Sequence, residues 1–275
     1  MLTLFYSEKS CSFAPHILLY DTGTDFVAKR IDFDKGEQNS QGYLSFNPKG
    51  RVPALMTPDG VLTENPAILL YIAQIYPEKQ LAPKEPFALA KAQSFNMYIA
   101  STVHVGHAHK HRGSRWADDK TAHASMADKV VQNMEGYAKV IEEHYFVGPW
   151  VLGEQYSMCD PYLALVTRWL GLDGVLLDNF PKLKAHDVLM RTRSSMQSGK
   201  AKTKYWILEH LDDKTGINPL MGWESSSNTL SEVRLEFKSK ENAISYAKRN
   251  KLEFEVIEPQ KTKVIKKSYA DNFIK

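Results

Sequence analysis

The order of apolar stretches in the first 77 residues constrains this chain most. LTLFYS predicts a short buried strand, and the segment from Ser12 to Thr22 a helix carrying Ile17, Leu18 and Leu19. Phe26 to Phe33 alternates as a second strand, and DKGEQNSQ is polar and turn-rich, predicting a loop. VPALMT then predicts a third strand, Asp59-Gly60 a hairpin turn, and VLTE the returning strand. Asn65 reads as an N-cap and Pro66 as the first residue of the helix that follows. The order β-α-β, then β-β-α, in so few residues describes a small α/β unit over residues 1–77.

Pro77, Pro83 and Pro86 mark a linker, and from residue 87 to 193 the periodicity is helical. Ser157-Met158-Cys159-Asp160 has the Ser-x-x-acid form of a capping box ahead of the apolar run YLALVTRWLGL. Phe180-Pro181 stops one helix and starts another. Beyond Arg193 the texture changes again. KYWILEHL and VRLEF predict strands, SKENAISYAKRN a short helix capped by Ser239, and LEFEVIEP a further strand through Leu252, Phe254 and Val256. PLMGWESSSNT reads as a long loop. A third, small α+β unit is expected over residues 194–275.

Charge divides the chain at the same place. Residues 1–193 carry 20 basic and 21 acidic side chains, residues 194–275 carry 15 and 11. Much of the excess is a tail in which Lys261, Lys263, Lys266, Lys267 and Lys275 face only Asp271. Stacking aromatics are not interleaved with these lysines, so nucleic acid is not expected as a partner. No apolar run reaches transmembrane length and the N-terminus lacks the pattern of a signal peptide, so a cytoplasmic location is expected. The two cysteines, Cys11 and Cys159, cannot supply four ligands to an iron–sulfur cluster or a cysteine-rich zinc site.

Cys11 lies between a strand end and a helix start, where the helix dipole favours a thiolate or any sulfur anion nearby; an inert buried thiol is the alternative. Pro53 at a strand start is compatible with a cis peptide that leaves the Val52 backbone free to pair with an extended peptide. Glu64 and Asn65 precede a helix whose N-terminus can hold a carboxylate. His104, His107, His109 and His111 crowd within eight residues, and on a helix His104, His107 and His111 share a face. No carboxylate is spaced to orient them, so a metal site is not expected; residues of a substrate cleft and satisfied structural histidines are the two readings left open. Arg112, Arg115 and Trp116 add a cationic, aromatic rim.

The succession LFYSEKSCSFAPH, NPKGRVPAL, LTENPAILLYIA and SMCDPYLALV resembles the bacterial glutathione transferases, particularly the cysteine-bearing beta type, over residues 1 to about 193. The resemblance implies a thioredoxin-like N-terminal domain, an all-α C-terminal domain, a homodimer, and glutathione as co-substrate without a metal. It places Cys11 beside the glutathione sulfur with His104 near it, Val52 on the cysteinyl backbone and Pro53 as the cis proline. Glu64 and Asn65 would hold the γ-glutamyl end, and Lys35 and Lys49 its carboxylates. Tyr6 matches a tyrosine that is not the main catalyst of this type. Asn65 stands where the family usually has Ser, and Val105 where it usually has Lys.

From about residue 194 the segments MGWESSSNTLSEVRLEF, AISYAKRNKLEFEVIEP and KKSYADNF resemble the 18 kDa, or iron–sulfur protein 4, accessory subunit of respiratory complex I. This implies a non-catalytic module that packs on the peripheral arm of NADH dehydrogenase, at the inner face of the membrane, without a cluster of its own. The two parts meet at DVLMRTRSSMQSG with no flexible linker. The expected activity is glutathione conjugation to a small electrophile or glutathione-linked thiol exchange; the alternative is a non-catalytic assembly protein on a transferase scaffold.

Overall fold

The computed structural model describes residues 1–198, 206–209, 216–217, 224–225, 234–237, 239–250, 252 and 254. The N-terminal unit is built from β1 (Leu2–Tyr6), α1 (Phe13–Thr22), β2 (Phe26–Arg30), α2 (Gln41–Phe46), β3 (Ala54–Thr57), β4 (Gly60–Thr63) and α3 (Asn65–Ile75). β1 runs parallel to β2 and antiparallel to β3, which pairs with β4 across the Asp59-Gly60 turn. The parallel pair needs a crossover, and α1 supplies it. Gly23 closes α1 in the left-handed conformation, at φ 70°.

Helix α2 lies where the sequence predicts the end of a loop. Ser40 starts it, its Oγ accepting from the Tyr43 N–H at 3.2 Å, and one aromatic, Tyr43, anchors it. Six residues are too few to show a helical period.

The second unit is helical: α4 (Pro86–Tyr98) and α5 (His104–Ala108) joined by a π-helical stretch, then α6 (Lys120–Val140), α7 (Asp160–Asp173) and α8 (Pro181–Thr192). The capping box before α7 forms around a fully buried carboxylate. Asp160 accepts from the Ser157 N–H at 2.7 Å, the Ser157 hydroxyl at 3.0 Å and the Val151 N–H at 2.9 Å, and pairs with His186 Nε2 at 3.0 Å. Leu4, Leu18, Leu55 and Leu69 of the first unit and Phe95, Val103, Met134, Leu163 and Trp169 of the second form one continuous core. Burial of this apolar surface, at about 25 cal/mol per Å², is the main force holding the units together.

The junction is packed rather than free. Helix α9 (Ser194–Ser198) follows α8 directly, and its Met196 joins Ile17, Ala164 and Met190 in a small core. Arg193 donates to Asp21 Oδ1 at 2.9 Å and lies 3.5 Å from the centroid of Tyr156, whose hydroxyl also donates to Asp21.

In the last part, β5 (Trp206–Glu209) pairs with β8 (Arg234–Phe237), and α10 (Lys240–Arg249) follows; β6 (Gly216–Ile217) and β7 (Glu224–Ser225) form a separate short pair. Ser239 caps α10 as the sequence predicts, accepting from the Asn242 N–H at 3.1 Å. β8 also pairs with β2, so the sheet runs β4-β3-β1-β2-β8-β5 through both parts of the chain. Val27, Phe237 and Ala243 close a small core across that seam. The expected strand at LEFEVIEP is not present at its described positions: Leu252 and Phe254 lie outside any strand, and the Leu252 N–H closes the end of α10 on Ala247 O at 2.9 Å. The rest of that strand, most of the PLMGWESSSNT loop and the basic tail lie outside the described residues. Among the described residues no helix is long and apolar enough to cross a membrane.

Candidate active site

The loop after β1, the β3 start and the N-terminus of α3 converge on a cavity of about 360 Å³. Cys11, Val52, Pro53, Glu64 and Asn65 line one side, and His104, Arg115, Trp116 and Tyr162 of the helical unit the other. Cys11 Sγ donates to the Val52 carbonyl at 3.3 Å, and Asn65 Nδ2 donates to the Cys11 carbonyl at 2.9 Å. The Val52-Pro53 peptide is cis.

Asn65 is not the N-cap that the sequence suggests. Glu64 holds that position at φ 73°, and the buried Asn65 side chain reaches across to the Cys11 loop instead. A carbonyl brought there by the fold needs a donor, and this demand overrides the local capping preference. Its Oδ1 is buried with no hydrogen-bond partner among the described residues, so Asn65 offers the cavity an acceptor.

Glu64 points outward to Lys49, whose Nζ lies 2.5 Å from its Oε1 and donates to Thr63 Oγ1 at 2.7 Å. Lys49 therefore stands at the rim. Lys35 is exposed and is not among the cavity walls, so the pairing of both lysines with one ligand is not what the structure assembles. Tyr6 is buried in the core with its ring 4.8 Å from that of His16, also away from the cavity.

Of the two readings open for Cys11, its surroundings favour the protonated thiol. Burial pushes the thiol up to about 12, against the opposing pull of the Arg112 charge. The sulfur faces a carbonyl acceptor, which favours the protonated form. Opposite it, burial and the charges of His107 and Arg112 lower His104 to about 4, so its imidazole is neutral at pH 7. Burial and Cys11 hold the Tyr162 hydroxyl above its ordinary range.

The histidine cluster is resolved into separate roles. His104 and His107 both pack on Trp169, at ring distances of 4.7 and 4.6 Å. His107 Nδ1 donates to Asp173 at 2.7 Å, so a carboxylate does orient one histidine, from 66 positions along the chain. α5 ends at Ala108, which takes His111 off the face shared by His104 and His107. His109 stacks on Trp116 at 4.1 Å. No group of three metal-ligating side chains is present among the described residues. Arg51 and Tyr162 join the cavity without a signal in the sequence: Tyr162 sits in an apolar run and Arg51 precedes an ordinary strand.

Comparison with known proteins agrees with this geometry. The family model of the glutathione S-transferase N-terminal domain matches residues 2–74. Glutathione S-transferase GstA of Escherichia coli O157:H7 is 32% identical over 199 residues, covering 71% of this chain and 96% of its own. The chain belongs to the glutathione S-transferase family. The crystal structure of a glutathione transferase homologue from Sulfitobacter with bound glutathione superposes with a TM-score of 0.71 at 41% identity, covering 74% of this chain and 98% of its own. In this transferase the β1–α3 unit described above is the part the family model matches. A second family model, NADH dehydrogenase ubiquinone Fe-S protein 4, matches residues 187–275. The mitochondrial NADH dehydrogenase iron-sulfur protein 4 of Dictyostelium discoideum is 32% identical over 122 residues, 44% of this chain and 61% of its own. The transferase thus carries, over residues 187–275, a segment similar to NADH dehydrogenase Fe-S protein 4.

Proposed function

We infer that the protein is a glutathione transferase that conjugates glutathione to small electrophiles, with the Fe-S protein 4-type module as its second part. The observation that carries this reading is the linkage of Cys11, Val52 and Asn65 at the floor of one cavity, beside the N-terminus of α3. Val52 offers its backbone to the cysteinyl residue of glutathione; the Asn65 acceptor and Glu64 take the γ-glutamyl ammonium, and the α3 N-terminus its carboxylate. Lys49, released from Glu64, is the assigned cation for a carboxylate, and Lys35, exposed outside the cavity walls, is the weaker candidate.

The glutathione thiol loses its proton to solvent, and its sulfur attacks the electrophile. Its pKa, about 8.5 for a free thiol, has to fall by about two units to leave mostly thiolate at pH 7. A neutral Cys11 serves this better than a charged one: its S–H turns from the Val52 carbonyl to the bound thiolate, and two sulfur anions never face each other. His104, neutral and in the opposite wall, completes the catalytic pair. Exchange through Cys11 itself is the second reading; the Arg112 charge, which lowers the thiol, favours it.

We assign domains to 1–77, 87–193 and 194–275. A homodimer is supported by exposed Val61 on β4 and Phe87 and Met97 on α4. Docking of the module on the peripheral arm of NADH dehydrogenase would place the chain in the cytoplasm at the inner face of the membrane. Calorimetric titration of glutathione into wild type and Cys11→Ala, with aryl halide turnover in parallel, tests the transferase reading. Binding with Cys11-dependent turnover supports it; no binding at millimolar glutathione leaves the non-catalytic assembly protein.

A further inference from the structure

The wall facing Cys11 has a chemical character of its own. Ala100, His104, Val105 and Ala108 form its helical side, with two small alanines among the lining residues. Arg115, Trp116 and Arg51 line the same cavity as Cys11 and Val52. Glu64 is the single carboxylate among the lining residues, and Lys49 already pairs with it. His104 is neutral there. The Arg112 charge, just outside the lining, acts on both Cys11 and His104. Among the described residues none of Arg51, Arg112 and Arg115 has an ion-pair partner, so the cavity holds convergent positive charge without compensation. Burial and the neighbouring Arg112 and Arg51 charges lower Arg115 itself, the repulsion that an anion would relieve.

The segment that presents Arg115 and Trp116 is anchored. The Trp116 and Ala117 N–H groups both donate to the Gly113 carbonyl, at 2.9 and 3.1 Å. Gly113 is buried against the His123 ring, where a Cβ would come within 2.9 Å. His123 in turn bonds the Ala117 carbonyl at 2.5 Å. Trp116, 46% exposed, keeps its ring stacked on His109 at 22°. A flat ring surface and a guanidinium are thus held in the cavity wall before any ligand arrives.

We propose that the electrophile of this transferase is a planar molecule carrying an anionic group, with its ring against Trp116 and its anion on Arg115, backed by Arg112. The assignment deepens the transferase reading and rests on it. The opposite side of the cavity, with Asn65 and Glu64, is left to the γ-glutamyl end of glutathione.

The test uses 4-chloro-3,5-dinitrobenzoate and its uncharged amide, two substrates for one reaction. Sulfur bonds to the carbon that bears chlorine, the C–Cl bond breaks, chloride leaves with the electron pair, and the thiol proton passes to solvent. Each kcat/KM is divided by the uncatalysed rate constant with glutathione. The wild type favours the benzoate by about tenfold at low ionic strength, falling towards about twofold near 0.5 M salt, because exposed charges are screened. Arg115→Gln lowers the preference by about fivefold, and Arg115→Lys keeps most of it. A preference near one in wild type, or equal losses on both substrates in Arg115→Gln, overturns the proposal. A raised KM for glutathione with an unchanged preference also overturns it, by giving Arg115 to the glycyl carboxylate of glutathione. Loss of turnover with both substrates and of the calorimetric glutathione signal in wild type sinks the transferase reading itself, and is told apart by that signal.

Discussion

The transferase part and the C-terminal module solve the same problem with very different means. The first buries a continuous core running from Leu4 on β1 to Leu183 on α8. Phe237, Ala243 and Ala247 are the buried described residues of the module's β8 and α10, and Phe237 and Ala243 cluster with Leu235 and Tyr246 at the edge and with Val27 of the transferase sheet. A segment this short has little apolar surface of its own to bury. It gains order by adding a strand to an existing sheet, where β2 supplies ready backbone partners. The contrast teaches that the transferase fold is the template and the module the dependent part.

Four measurements would break or sharpen that contrast. Both cysteines lie in the transferase part, so alkylation reports on it alone. With its thiol at about 12, Cys11 should react with iodoacetamide about a thousandfold slower than a free thiol at pH 7.5, rising with pH. Its folded pKa lies above the unfolded value, so its contribution to stability is full below about pH 8.5 and is lost as pH rises towards 12. Reaction at the free-cysteine rate would show that the surroundings of Cys11 do not hold its thiol protonated.

Asp160→Ala should cost about 4 kcal/mol in urea unfolding of the transferase part, because it strands the buried Val151 and Ser157 donors and His186 together. A loss below about 1 kcal/mol would mean that the capping box is not a support of the core. Phe237→Ala should remove about 3 kcal/mol, but from the module only. Hydrogen exchange would rise in β8 and α10 while the urea midpoint of the transferase part stays in place; a joint shift would make the two parts one cooperative unit. Ser239→Ala is the mildest, about 1 kcal/mol, read as faster amide exchange along α10. No change there would show that α10 is held by Ala243 and Ala247 packing rather than by its cap.

Local signals carried much of this architecture. Ser157-x-x-Asp160 and Ser239 are legible because a cap is recognised within three or four residues. The strand and helix order of the N-terminal unit follows from its periodicities, whereas α2 is too short to display one. Cys11, Val52, Pro53, Glu64, Asn65 and His104 do meet around one cavity. What was not legible depends on partners distant in sequence. Asn65 abandons its capping role for the carbonyl of Cys11, His107 finds Asp173, and burial holds the Cys11 thiol protonated with the Val52 carbonyl as its acceptor. The pairing of β8 with β2 likewise joins residues at opposite ends of the chain.

The ion pair between Arg193 and Asp21 has a mechanical consequence. Asp21 sits near the far end of α1, a helix of ten residues and so about 15 Å long, whose near end begins two residues after Cys11. Met196 grips the same helix at Ile17. A stiff rod therefore connects the place where the module leaves the transferase to the loop that holds the sulfur. Strain delivered to the module at this junction would reach Asp21 and, through α1, the loop that holds Cys11.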